Sequence, residues 1–211
     1  SEIVVQKFGG TSVGTVDRID SVAEIIKNAS KSNQIVVVVS AMGGETNRLV
    51  DLAKAFGDDP DKREFDALVS TGETVSSALL TMALHSKGIK AKSFSASQIS
   101  MRTTSSYSKA KILDVDAKKI LDVIDSDTIP IITGFQGVTE GGDVTTLGRG
   151  GSDTTAVAIA AQIDAVRCDI YTDVDGIFTT DPGVVPNAKK LDSITMEEML
   201  ELAGQGAKVV Q

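Results

Sequence analysis

The sequence predicts an α/β domain, a three-layer αβα sandwich around a mainly parallel central sheet. Short runs of β-branched residues, which favour strands, alternate along the chain with longer segments whose apolar residues recur at helical spacing. The run at residues 35–39 is apolar at every position, which is typical of a strand covered on both faces. Strands that alternate with helices in this way place helices on both sides of one sheet.

The elements follow from these periods in chain order. We expect strands at residues 3–5, 35–39, 89–94, 129–133 and 166–171. We expect helices around residues 16–26, 49–56, 62–85, 116–124 and 154–163, and a last one after a capping box at 195–198. The buried face of the first helix is expected to carry Val16, Ile19, Val22, Ile25 and Ile26. Gly72 predicts a break in the long third helix, and Gly141-Gly142 predict the turn of a β-hairpin at 138–145.

Composition excludes several classes of function. The 211 residues include 21 Lys and Arg against 29 Asp and Glu, and the resulting net charge of −8 argues against a nucleic-acid binder. One cysteine, Cys168, and one histidine, His85, leave no disulfide framework, cysteine-rich zinc site or histidine pair. The longest apolar runs, at 35–39 and 156–161, are far shorter than the ~20 residues that span a bilayer, and no targeting segment is recognisable. We therefore expect a soluble, cytoplasmic protein without nucleic-acid or membrane partners.

Glycines cluster just after the predicted strands. The groups are Gly9-Gly10, Gly43-Gly44, Gly134 with Gly137, and residues 148–151, which come directly before a helix. In open parallel sheets, ligands bind outside the carboxyl ends of the strands, where glycine lets backbone N–H groups approach a phosphate. An ordinary turn would explain any one group, but four groups at strand ends favour one site that binds several phosphates.

The common phosphate-binding and catalytic motifs are absent. The sequence contains no G-x-x-x-x-G-K-[ST] loop and no G-x-G-x-x-G at the first helix, which excludes a P-loop enzyme and leaves a Rossmann fold unsupported. It also lacks the H-R-D and D-F-G motifs of protein kinases and the G-x-S-x-G nucleophile elbow.

Three charged residues accompany the glycines. Lys7 ends the first strand just before Gly9-Gly10, where its ammonium can reach a transferring phosphoryl group. Arg149 lies within residues 148–151, and its guanidinium suits bidentate binding of a carboxylate or a phosphate. Asp153 begins the following helix, where it can act as an N-cap, as a site residue, or as both.

Five blocks of the sequence resemble the aspartate kinases of the amino-acid kinase superfamily, in the order that this family has them. They are residues 7–13 (KFGGTSV), 70–73 (STGE), 146–153 (TLGRGGSD), 171–176 (YTDVDG) and 206–209 (GAKV). Kinases of N-acetylglutamate, glutamate, carbamate or UMP share the glycine pattern but not the full set of blocks. The resemblance implies a carbamate kinase-like αβα fold for the whole of residues 1–211.

The resemblance also implies an activity, phosphorylation of the β-carboxylate of L-aspartate by Mg·ATP to give β-aspartyl phosphate, the first step towards lysine, threonine and methionine. It implies that Lys7 contacts the transferring phosphate, that Gly9 and Gly10 supply backbone donors, and that Asp153 organises the catalytic lysines. It assigns aspartate binding to Ser40, Thr46, Glu73 and Arg149. It assigns the rest of the nucleotide site to Thr172, Asp173, Phe178, Lys208 and Val209. Mg²⁺ would be held mainly by the nucleotide, with no protein ligand.

The sequence departs from the family at Gly183, where aspartate kinases usually have arginine. Residues 1–211 are expected to be one catalytic domain, truncated before the pair of ACT-type regulatory domains of the family, and the full-length protein is expected to form a homo-oligomer. Two alternatives stay open: a superfamily kinase with another carboxylate acceptor, such as acetylglutamate or glutamate, and a nucleotide-binding domain without catalysis.

Overall fold

The computed structural model of this chain describes residues 2–148 and 150–171, together with the backbone of residues 177–178. Its strands are β1 (Ile3–Phe8), β2 (Gln34–Val39), β3 (Ala91–Phe94), β4 (Arg102–Thr103), β5 (Ile112–Asp114), β6 (Ile129–Thr133), β7 (Gln136–Val138), β8 (Val144–Thr146), β9 (Arg167–Tyr171) and β10 (Ile177–Phe178). Its helices are α1 (Val16–Ala29), α2 (Glu45–Ala53), α3 (Lys62–Val69), α4 (Thr71–Ser86), α5 (Ala117–Asp125) and α6 (Gly151–Gln162).

The larger sheet has the strand order β10-β9-β1-β2-β6-β3, and all its pairs are parallel except that of β10 with β9. Helices cover both of its faces, and alternate residues of β2 show why that strand is apolar throughout. Val37 and Val39 belong to the core cluster with α1 and α4, whereas Val36 and Val38 belong to the cluster with α5 and α6. The predicted three-layer sandwich with a mainly parallel central sheet is confirmed.

A smaller sheet, of order β5-β4-β7-β8, was not predicted. Strands β4 and β5 have two and three residues, too few to give a periodic signal. The β7–β8 hairpin itself is confirmed, with Gly142 at a φ of +93° in its turn. Gly137 permits the sheet to form, because a Cβ at that position would collide with Thr103 on β4.

The predicted break in the long helix lies elsewhere. The helix is interrupted at Ser70, between α3 and α4, and Gly72 lies inside α4. A Cβ on Gly72 would come within 2.7 Å of the Cβ of Ala41, so this glycine allows close packing and does not end the helix.

Two predicted core positions were wrong for α1. Val16 and Ile25 are 69% and 38% exposed, and Ala23 is buried instead. Ala23 belongs to the core cluster that α1 forms with α4 and the sheet, and the pattern of large apolar residues did not include it. The last predicted helix, after residues 195–198, lies outside the described residues.

One stretch of the described residues, at 62–86, is both long enough and apolar enough for a membrane span. This stretch contains α3, Ser70 and α4. Polar residues interrupt it, so the sequence shows no continuous apolar run there. About half of its most apolar window is buried, and Leu80 and Leu84 are fully buried in the core beneath α1 and the sheet. Its α4 part therefore packs in the core of this domain.

Candidate active site

A cleft of about 640 Å³ opens at the carboxyl ends of β1 and β2. Its walls come from the loops that follow these two strands, from α4, and from the loop that joins β8 to α6. Residues from every one of the first three predicted blocks therefore line one cavity. The predicted site residues among its lining are Lys7, Gly10, Ser40, Thr46, Glu73 and Asp153.

Lys7 and Asp153 form an ion pair at the edge of this cleft. Lys7 lies on the same face of β1 as Val5, the face that packs against α6. Its Nζ lies 2.9 Å from Oδ1 of Asp153, in the first turn of α6, and the two side chains are 12% and 48% exposed. The carboxylate thus holds the ammonium beside the glycine loops while leaving it accessible to a ligand.

The loops after β1 and β2 meet backbone to backbone. The N–H of Gly43 donates to the carbonyl of Gly10 at 2.9 Å, and a Cβ on Gly10 would lie 3.2 Å from the carbonyl oxygen of Ala41. The N–H of Gly9 donates to the carbonyl of Tyr171, and a Cβ on Gly9 would lie 3.4 Å from Lys7 Nζ. A side chain at Gly10 or Gly43 would press on the backbone of the other loop.

Two helices begin at the cleft without a side-chain cap. Gly44 precedes α2 and Gly150 precedes α6, at φ of +84° and +75°, and among the described residues no side chain accepts from their first N–H groups. By contrast, Thr15, Asp61 and Asp116 cap α1, α3 and α5. Uncapped first-turn N–H groups and the positive end of the helix dipole attract anions, so both helices are suited to bind phosphate or carboxylate.

Glu73 projects from α4 into the wall of the cleft, where it is only 2% exposed. Its Oε2 accepts the N–H of Ala41 at 3.3 Å, and its Oε1 has no hydrogen-bond partner among the described residues. Burial disfavours the ionised form and raises the pKa of this carboxyl to about 8, against the lowering effect of the backbone N–H donors. A cationic ligand group would pair with the free oxygen and stabilise the carboxylate.

Ser40 and Thr46 flank Glu73 in the cleft. Ser40 directly follows β2, and its carbonyl accepts the hydroxyl of Ser76 from α4 at 2.6 Å. Thr46 lies in the first turn of α2. The three residues therefore line one side of the cavity together with the loop after β2.

The other predicted site residues lie largely outside the described part of the chain. Arg149, Thr172, Asp173, Lys208 and Val209 are outside it, as is Gly183. Phe178 is described through its backbone alone, which pairs with Ile170 in the antiparallel β9–β10 ladder.

Five lining residues were not indicated by the sequence: Ala41, Met42, Asn47, Ser108 and Phe135. Asn47 follows Thr46 in the first turn of α2. Its place beside a predicted aspartate-binding residue could therefore have indicated it. Ser108 and Phe135 have φ of +68° and +71°, a conformation that is uncommon outside glycine. Neither residue type signals such a conformation, so the sequence offered no indication of their place.

Curated relatives match nearly the whole of this chain. The aspartate kinase of Pseudomonas putida is 55% identical over 210 residues, which are 99% of this chain and 51% of that protein. Aspartokinase 2 of Bacillus subtilis is 53% identical over 209 residues, again 99% of this chain and 51% of the relative. The chain thus spans about half the length of these curated relatives.

Solved structures show the same relationship. The aspartate kinase of Synechocystis aligns with 99% of this chain and 34% of its own, at a TM-score of 0.74 and 46% identity. E. coli aspartokinase III, solved in complex with aspartate and ADP, aligns with 87% of this chain and 52% of its own, at a TM-score of 0.74 and 31% identity. The sequence model of the amino acid kinase family matches residues 2–211. From its first strand to its last residue, this chain belongs to the amino acid kinase family.

Proposed function

We propose that this chain is the catalytic part of an aspartate kinase, which transfers the γ-phosphoryl group of ATP to the β-carboxylate of L-aspartate. The products would be β-aspartyl phosphate and ADP. One observation supports this above the others. The Lys7–Asp153 pair, which offers a cationic group for phosphate, and Glu73, whose buried Oε1 has no partner among the described residues and could accept an ammonium, line the same cleft. The relatives described above carry the name of this enzyme.

The phosphates fit the glycine-lined side of the cleft. The N–H groups of Gly9 and Gly43 already donate to backbone carbonyls, so the donors for phosphate would be those near Gly10 and Gly44, with the uncapped start of α6 adding N–H groups and a positive dipole end. The nucleotide would extend towards Thr172, Asp173, Phe178, Lys208 and Val209, which we propose from the resemblance alone. From the same resemblance we propose that Mg²⁺ arrives with ATP and is held mainly by phosphate oxygens and water.

L-Aspartate fits the part of the cleft beside Glu73 and the loop after β2. Its ammonium would pair with Glu73, whose carboxyl would give up its proton as that countercharge arrives. Ser40 and Thr46 would hold it by hydrogen bonds, and Arg149 would bind a carboxylate through its guanidinium. The reacting β-carboxylate is ionised at neutral pH, so the transfer requires no strong general base.

Lys7 would then neutralise charge on the transferring phosphoryl group. Asp153 would keep the ammonium in place through the 2.9 Å contact. Catalysis in this scheme rests on positioning and on electrostatic stabilisation, which is the usual basis of phosphoryl transfer.

The wider setting is also proposed. We infer a single catalytic domain over residues 1–211, a cytoplasmic homo-oligomer, and regulatory ACT-type domains in the remaining length of the full protein. The basis is the resemblance to aspartate kinases, together with the half of each curated relative that this chain does not span.

A coupled assay of ADP release by the full-length protein, with L-aspartate, N-acetylglutamate and glutamate in parallel, tests the assignment. Hydroxylamine added to the reaction would trap an acyl phosphate as its hydroxamate. We expect hydroxamate from L-aspartate alone and its loss in Lys7→Ala. Turnover of another acceptor would instead identify a different kinase of the family, and nucleotide binding without turnover would identify a non-catalytic domain.

A further inference from the structure

We propose that Asp66 is a positioning residue for this reaction, and that it holds the wall of the cleft that leads into α6. The expected effect of Asp66 on the kinetics rests on the proposed function, whereas its structural role does not. Asp66 lies on α3, outside the cleft lining, and is completely buried. Among the described residues it has no Lys or Arg partner, and hydrogen bonds alone satisfy its carboxylate.

Those hydrogen bonds come from two segments that are distant in sequence. Oδ2 accepts the N–H groups of Ser108 and Thr146 at 2.9 and 2.8 Å. Oδ1 accepts the hydroxyl groups of the same two residues, at 3.1 Å from Ser108 and 2.9 Å from Thr146. Each oxygen thus binds one donor from each segment, so the carboxylate ties both segments to α3.

Both segments belong to the wall of the cleft. Ser108 lines it, in the positive-φ conformation that its two bonds to Asp66 help to maintain. Thr146 ends β8 and directly precedes Leu147 and Gly148, which line the cleft on the way to α6. The N–H of Ala110 donates to the carbonyl of Thr146 at 3.1 Å, which joins the two segments to each other.

Burying a carboxylate without a cation is costly unless strong hydrogen bonds replace its hydration. Four donors do so here, and their directions constrain the two backbones that supply them. Loss of the carboxylate would leave the two buried donors of Thr146 and the two part-buried donors of Ser108 without their acceptor, and the wall would rearrange. Errors of about 1 Å in substrate position can cost on the order of 10²-fold in rate.

The arrangement makes asparagine a discriminating substitution. In Asp66→Asn, the amide oxygen can accept both N–H groups, and the amide nitrogen can donate to both hydroxyls, which rotate to accept. That variant removes the charge and keeps the four bonds, whereas Asp66→Ala removes all of them. If Asp66 acts by holding the wall, the asparagine variant restores function.

Asp143 provides a matched control. It also joins α3 to the same loop, through Arg63 Nε at 2.9 Å and the hydroxyl of Tyr107 at 3.0 Å, but it does so at the surface and away from the cleft lining. Asp143→Ala therefore loosens the same elements without releasing Ser108 or Thr146.

The test compares Asp66→Ala, Asp66→Asn and Asp143→Ala in the full-length protein by steady-state kinetics and by amide hydrogen exchange without ligands. We expect Asp66→Ala to raise the KM for aspartate about 10-fold or more and to lower kcat. We expect Asp66→Asn and Asp143→Ala to stay within about 3-fold of the parent protein. Exchange at Ser108 and Thr146 should accelerate in Asp66→Ala only.

Several results would overturn the proposal. These are unchanged kinetics in Asp66→Ala, equal damage in Asp66→Asn, or exchange at Ser108 and Thr146 that does not respond. Should Asp66→Ala fail to fold, Thr146→Val removes one hydroxyl with little change of shape, and unaltered aspartate KM and exchange in that variant would also refute the idea. A parent protein without aspartate kinase activity would refute the proposed function, and the exchange data would still decide the role of Asp66.

Discussion

The burial of Glu73 should give the ligand-free protein a characteristic dependence of stability on pH. Its pKa rises from 4.5 to about 8 on folding because burial disfavours the carboxylate. The folded state therefore binds the proton more tightly than the unfolded state does. The contribution of protonated Glu73 to the free energy of unfolding is complete below pH 4.5. It is lost progressively as pH rises to about 8. At about 1.4 kcal/mol per unit of pKa, the loss is on the order of 4–5 kcal/mol.

Glu73→Gln isolates this effect, because glutamine is neutral at every pH and can still accept the N–H of Ala41. We expect denaturant unfolding to show that the variant loses far less stability than the parent protein between pH 5 and pH 9. A difference of this size corresponds to about 10 °C or more in Tm for a domain of this length. Glu140→Gln, at an exposed turn position, is the control and should follow the parent protein.

Ligand binding provides the second half of this test. If the ammonium of L-aspartate pairs with Glu73, binding at pH 7 should release close to one proton, which calorimetry in buffers of different ionisation enthalpy can measure. Glu73→Gln should release none. Parallel stability profiles for parent and variant would refute the burial argument, and binding without proton release would refute the pairing of Glu73 with the ammonium.

The remaining predictions concern the phosphate and acceptor sides of the cleft. Lys7→Ala should lower kcat by roughly 10²-fold with little change in circular dichroism or Tm, and near-normal turnover would remove Lys7 from the mechanism. Gly10→Ala should raise the KM for ATP several-fold, because its Cβ would press on the carbonyl of Ala41 at 3.2 Å; an unchanged KM would show that the loops can separate freely. Arg149→Lys should raise the KM for aspartate by roughly 10- to 100-fold, the cost of a bidentate charged pair, whereas a selective loss of nucleotide binding would make Arg149 a phosphate ligand.

The larger sheet could be predicted because its strands carry their own signal. Residues 35–39 and 129–133 are buried on both faces, so nearly every side chain in them is apolar. The smaller sheet could not, since β4 and β5 are short and depend on partners brought together by the chain's tertiary path. The helix break predicted at Gly72 was wrong for a related reason. The lack of a side chain there allows close packing against Ala41, and no local sequence pattern connects these two residues.

In the candidate site, the sequence indicated the functional residues where a charged side chain lies close to a glycine. Lys7, Glu73 and Asp153 were singled out on motifs, and the fold brings them to one cleft. Asp66 was overlooked because its donors lie 42 and 80 residues away, and an aspartate in mid-helix suggests solvent exposure. Only the three-dimensional arrangement shows which carboxylate is enclosed.

The position of Lys7 in the middle of the sheet has a consequence for how its side chain is aimed. Lys7 lies opposite Val38 on β2 and opposite Ile170 on β9, so ladders of backbone hydrogen bonds hold β1 on both sides. A slip of one residue would turn Gln6 or Phe8 towards α6 and send the lysine into the opposite core layer, and it would require both ladders to break together. An edge strand could change its register by local fraying, whereas β1, which is paired on both sides, cannot. The direction of the ammonium is therefore as durable as the sheet itself, and it should persist in any homologue or variant that retains these three strands, whatever happens to the loops around it.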